Sequence, residues 1–134
     1  METRLTYKTA QLKKAVTDFN TSLQINTAGM QPEVVDTIKS GHVQKFEVVV
    51  DLLWKTLKIF LYDVNGIAEN SPKKVIKQYF QVEACAYEDY EWLIKMIDMR
   101  NQLSHIYDSE KFEQIYADIK TANTIINRIT NRLY

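Results

Sequence analysis

Apolar positions recur along this chain at three- and four-residue steps, with no convincing alternation in steps of two. Leu5, Leu12, Val16, Phe19 and Leu23 mark one face of a helix. That helix should stop near Asn26, because Gly29 and Pro32 punctuate the stretch that follows. A second run steps through Val35, Ile38, His42, Phe46, Val49, Leu53, Leu57, Phe60 and Val64, and predicts a helix of about 30 residues. Gly41 is its candidate weak point and Asn65-Gly66 its end. Val50, Trp54 and Leu61 broaden its apolar face, which suggests more than one neighbour or a subunit interface.

Ser71 and Pro72 suit an N-cap and a first helical position, and open a third helix. Val75, Ile76, Tyr79 and Phe80 give its inner side, and it should end near Ala84–Tyr87. A fourth helix is expected from about Glu88, with Glu88, Asp89 and Glu91 favourable at its start and Leu93, Ile94 and Ile97 inward. The last begins near Asp108-Ser109. Ile115, Ile119, Ala122, Ile126, Ile129 and Leu133 form its narrow, heptad-like seam. The pattern predicts an all-α, up-and-down bundle of four or five helices, forming one domain over residues 1–134.

Composition narrows the possible chemistry. Only 3 Gly and 2 Pro agree with few, long elements. Lys and Arg total 17, as do Asp and Glu, so the chain is no broadly basic nucleic-acid binder, although a local basic site remains open. One cysteine, Cys85, excludes an internal disulfide and a cysteine-built zinc site. His42 and His105 are too far apart for a paired-histidine metal motif, so neither metal nor cofactor is expected. Charges at Glu2, Arg4, Lys8, Lys13 and Lys14 leave no signal-peptide core, and no apolar run nears the ~20 residues that span a bilayer. A cytoplasmic protein without a membrane segment is the expectation. The acidic run Glu83, Glu88, Asp89, Glu91 and Asp98 reads as a solvated face. Trp54, Trp92 and Cys85 read as packing residues, and His42 as a half-buried one.

The chemistry-bearing stretch is Asp98-Met-Arg100-Asn101-Gln-Leu-Ser104-His105-Ile-Tyr107-Asp108. Arg100 is a fixed cation with a planar fork suited to phosphate, and His105 can exchange protons near neutral pH. Together they suffice for metal-free cleavage of RNA. A base takes the ribose 2′-OH proton, a cation stabilises charge on phosphorus, and a 2′,3′-cyclic phosphate is left. DNA, lacking the 2′-OH, is excluded. On one continuous helix Asn101 and His105 share a face, whereas Arg100 and His105 stand ~140° apart. The latter pair converges only if the helix unwinds near Ser104 or a second subunit completes the site. A histidine at a helix C-terminus is also a plain capping group.

Arg100-Asn101-x3-His105-x-Tyr107 resembles the R-x4-H-x-Y signature of HEPN domains. Four further stretches resemble the subgroup called nucleotidyltransferase substrate-binding proteins. They are Gln44-Lys-Phe46-Glu47, Leu53-Trp54-Lys55-Thr56-Leu57-Lys58, Ser71-Pro72-Lys-Lys-Val75-Ile76 and Trp92-Leu93 with Met96. The resemblance implies a homodimeric helical bundle and a companion minimal nucleotidyltransferase. It implies Arg100 as phosphate binder, His105 as general base or acid and Asn101 as an orienting group, with Asp98 and Ser104 in support. Tyr107 falls where toxin–antitoxin members are adenylylated, which silences the nuclease. Many HEPN nucleases carry an acidic residue four before the arginine; here that position is Met96, and Asp98 lies two before. Two functions follow from the resemblance: a metal-independent RNA endonuclease restrained by its partner, or a non-catalytic subunit that holds nucleotide or substrate for that partner.

Overall fold

The computed structural model describes residues 3–105 and 109–133. Five helices account for most of them, and no strand occurs among the described residues: α1 (Arg4–Leu23), α2 (Pro32–Asn65), α3 (Pro72–Gln81), α4 (Tyr87–Leu103) and α5 (Ser109–Asn131). The all-helical expectation holds, and each predicted helix exists.

The helix ends follow from local chemistry. Thr3 caps α1 by accepting the Thr6 amide on its hydroxyl. Pro32 and Pro72 start α2 and α3, where a missing N–H costs nothing. Gly66, at φ 67, closes α2 in the left-handed region that glycine enters freely, so the Asn65-Gly66 stop is as expected. Gly41 does not interrupt α2, which runs unbroken for 34 residues. α3 stops earlier than the sequence suggests, at Gln81. Glu83 takes the left-handed conformation at φ 60, and the Glu83 and Ala84 amides turn back to the Phe80 and Tyr79 carbonyls.

Contacts fix the directions of neighbouring helices. Arg4 of α1 reaches Asp63 at the far end of α2, and the Ser22 carbonyl reaches His42 near its start, so these helices are antiparallel. Asp89–Arg128 and Lys95–Asp118 make α4 and α5 antiparallel too. One continuous core runs through all five helices, with Leu12, Phe19, Phe46, Leu57, Leu61, Ile126 and Ile129 at 0% exposure. The seam on α5 is buried as expected from Ile115 to Ile129, with Ile125 added and Leu133 half-buried.

Two polar groups lie deeper than the sequence suggests. His42, expected to be half-buried, is 4% exposed, and both ring nitrogens are bonded. A carbonyl can only accept, so Nε2–H donates to the Ser22 carbonyl at 2.7 Å. In the neutral ring Nδ1 then accepts the Tyr116 hydroxyl at 2.8 Å. Asp89, read as part of a solvated acidic face, is 0% exposed and is met by Arg128 at 2.5 Å. One carboxylate in the acidic run thus ties α4 to α5. Cys85 is buried and free, in line with a packing role. Burial, then the nearby Asp89 charge, pushes its thiol up to about 11.

Candidate functional site

α4 carries the sequence-predicted block to an open edge of the bundle. Its inner face is Leu93, Met96, Ile97 and Met99, which leaves Arg100 half-buried and Asn101 exposed. The helix ends at Leu103, and Ser104 and His105 lie in the turn after it. The helix thus stops just before Ser104, which is one of the two ways, a second subunit being the other, by which Arg100 and His105 could converge. His105 is exposed, and its backbone N–H donates to the Gln102 carbonyl at 3.0 Å. Tyr107 lies outside the described residues.

Arg100 is held on three sides. Its Nε and Nη2 donate to the Asp51 carboxylate at 3.3 Å. Its Nη1 lies 3.2 Å from Glu47 and 3.1 Å from the Ser104 hydroxyl. Glu47 and Asp51 are one turn apart on α2, so a single helix face presents both carboxylates. Asp98 is not brought to Arg100; it pairs with Lys73 of α3 at 2.6 Å. The acidic partner that is missing at Met96 in sequence thus comes across from α2. The spacing around Arg100 could not reveal Glu47 and Asp51 as its partners, because nothing local links α2 to α4. The signal that existed was an i, i+4 carboxylate pair beside the apolar stripe of α2.

The arrangement has clear electrostatics. One guanidinium faces two carboxylates, so the cluster carries a formal charge of −1. The Arg100 side chain is 28% exposed. Among the described residues no group of three or more His, Cys, Asp or Glu could hold a metal ion.

The family model described as nucleotidyltransferase substrate binding protein like matches residues 7–133. The chain belongs to this family. A relative from Haemophilus influenzae named "Probable ribonuclease HepT" is 33% identical over 99 residues, which are 70% of this chain and 66% of that protein. The match thus spans just under two thirds of the relative's length. A crystal structure of a Thermus thermophilus protein superposes with a TM-score of 0.80 at 21% identity, covering 91% of this chain and 98% of the other. That likeness speaks to the shared helical fold. The family's name implies a nucleotidyltransferase as partner. No helix among the described residues is long and apolar enough to cross a membrane.

Proposed function

We propose that the protein is a metal-independent endoribonuclease, in which Arg100 binds the scissile phosphate and His105 moves the proton. One observation carries this reading. A guanidinium fixed by Asp51, Glu47 and Ser104 stands at the end of α4, with an exposed imidazole in the turn that follows. The relative named as a ribonuclease supports it.

The step needs no outside reagent. His105 takes the 2′-OH proton as the 2′ oxygen attacks phosphorus. Charge builds on the non-bridging oxygens, where the Arg100 fork donates hydrogen bonds. The bond to the 5′ oxygen breaks, and that oxygen leaves with a proton from a general acid, a role for the second imidazole of a homodimer. The products are a 2′,3′-cyclic phosphate and a 5′-hydroxyl. Asn101 orients the phosphate. We assign the chain to a single domain of HEPN type over residues 1–134, a cytoplasmic homodimer paired with a minimal nucleotidyltransferase. Tyr107 is the AMP acceptor through which that partner silences the nuclease.

A second reading rests on the same cluster. Two carboxylates already compensate Arg100, as suits a non-catalytic subunit that holds nucleotide or substrate for the nucleotidyltransferase. The deciding experiment incubates unmodified protein with end-labelled single-stranded RNA in EDTA, beside His105→Ala. Cleavage to a 2′,3′-cyclic phosphate, lost in the variant, supports the nuclease. An inactive, unmodified wild-type protein favours the binding subunit.

A further inference from the structure

The cluster around Arg100 cannot by itself attract a polyanion, because its formal charge is −1. Attraction must come from elsewhere on the molecule, and α2 supplies a candidate. The stripe that begins with Glu47 and Asp51 continues one turn on at Trp54 and Lys55, then at Lys58 and Tyr62. These residues form one wall of a groove of about 730 Å³, and Arg4 and Lys8 of α1 stand on the other side. That is the size of a site for a nucleotide-sized ligand, within the ~300–1,000 Å³ usual for small-molecule pockets.

The groove is locally basic in a chain of zero net charge. Among the described residues, four cations line it against one carboxylate, Glu69. Arg4 is partly answered by Asp63 at 3.9 Å, and Lys58 by the Asn70 side-chain oxygen. Lys8 and Lys55 have no ion pair among the described residues. Tyr62 is 58% exposed and Trp54 half-buried, so the floor offers aromatic surface beside the cations. Aromatic rings interleaved with cations along a track are what a single-stranded nucleic acid binds: bases stack and phosphates are neutralised. Seven residues of helix separate Asp51 from Lys58, about 10 Å along the axis. One strand can therefore lie across both the Arg100 cluster and the groove.

We infer that this groove holds the RNA strand beside the cleavage point, with a base on Tyr62 and Trp54 and phosphates on Lys8, Lys55 and Lys58. The inference rests on the ribonuclease reading and adds to it the site that provides substrate affinity.

Binding is measured by fluorescence anisotropy with a labelled single-stranded RNA 12-mer, on the full chain carrying His105→Ala so that nothing is cut. Adding Lys8→Glu with Lys55→Glu should weaken binding more than ~30-fold and flatten the salt dependence by about 1.4 log units per log unit of salt. Tyr62→Ala should weaken it ~5-fold or more. Both sets change exposed or half-exposed side chains, and an unchanged thermal midpoint confirms the fold. Restored to His105, the lysine variants should raise KM and leave kcat. Unchanged affinity and salt slope in the lysine variants would overturn the groove, as would an absence of RNA binding by the parent. So would ATP bound in the groove more tightly than the RNA, which would assign it to a free nucleotide. Groove-dependent binding without any cleavage by wild type would remove the nuclease reading alone. Cleavage with KM indifferent to both lysines would remove the groove alone.

Discussion

His42 sits at 4% exposure with a carbonyl on one ring nitrogen and a hydroxyl on the other, whereas His105 stands exposed in the turn that ends α4. The first imidazole clamps three helices, since Ser22 belongs to α1, His42 to α2 and Tyr116 to α5. Lys39 adds to the clamp, with its Nζ 5.0 Å from the centre of the Tyr116 ring and 3.0 Å from Glu113. The second imidazole has solvent on its ring. A saturated histidine holds structure because it has no hydrogen-bonding capacity left to give a substrate. An exposed one contributes little to packing and is free to exchange a proton. Residue type alone does not separate these roles; the surroundings do.

The largest effect that would test this contrast is on rate. His105→Ala should lower RNA cleavage by ~10²–10⁴-fold, the usual worth of a general acid–base group, and leave the thermal midpoint within about a degree. A parallel loss of cleavage and fold would place His105 with His42 instead.

The converse variant should act on stability. His42→Ala orphans the Ser22 carbonyl and the Tyr116 hydroxyl and opens a void, at a cost of ~2–4 kcal/mol. Urea unfolding gives the value, and the folded fraction should cut RNA at the wild-type rate. The Tyr116 ring also stacks on His42 at 5.9 Å and on Phe112 at 6.2 Å.

Much of this was legible in the sequence, for physical reasons. A 3.6-residue period survives any tertiary context, so all five helices were visible, as were the stop at Gly66 and the start at Pro72. The end of α3 was not, because Glu83, a residue with no left-handed preference, takes φ 60 there. The site was half visible. Arg100, Asn101, Ser104 and His105 are close in sequence, and the structure keeps them at one helix end. The carboxylates that hold Arg100 are not local: Asp51 is 49 positions away, and only packing of α4 on α2 brings it there. Burial of Asp89 was hidden for the same reason, since its partner Arg128 lies on α5.

Two groups packed near Asp89, Tyr79 and Cys85, also predict a pH response of stability. Burial and the neighbouring Cys85 charge push the Tyr79 phenol up to about 12, and the Cys85 thiol stands at about 11. The folded chain keeps protons that the unfolded chain releases from pH 9.0 upward for the thiol and 10.0 for the phenol. Their contribution to stability is therefore intact below pH 9.0 and lost as pH rises through about 11 and then about 12. Denaturant midpoints across this range should fall, and Cys85→Ala should flatten the first part of the fall. Slow reaction of native Cys85 with a thiol reagent at neutral pH, and fast reaction in urea, is the companion observation.

The smallest effect concerns the carboxylates that hold Arg100. Glu47 and Asp51 are 31% and 40% exposed, so solvent screens their pairing, and Asp51→Asn should change stability by less than ~1 kcal/mol. Its effect on cleavage should be larger than on stability, about tenfold in kcat, because a guanidinium that swings away from its fixed place no longer meets the charge that develops on phosphorus. KM should hold or fall slightly, since removing a negative charge eases the approach of RNA. Asp51→Glu, which keeps the charge on a longer stem, should recover part of kcat. This split separates a positioning residue from a merely structural one: a structural role would lower kcat only in step with the folded fraction and gain nothing from glutamate. A variant that raised kcat would show instead that the carboxylates restrain Arg100 and that phosphate must displace them before cleavage.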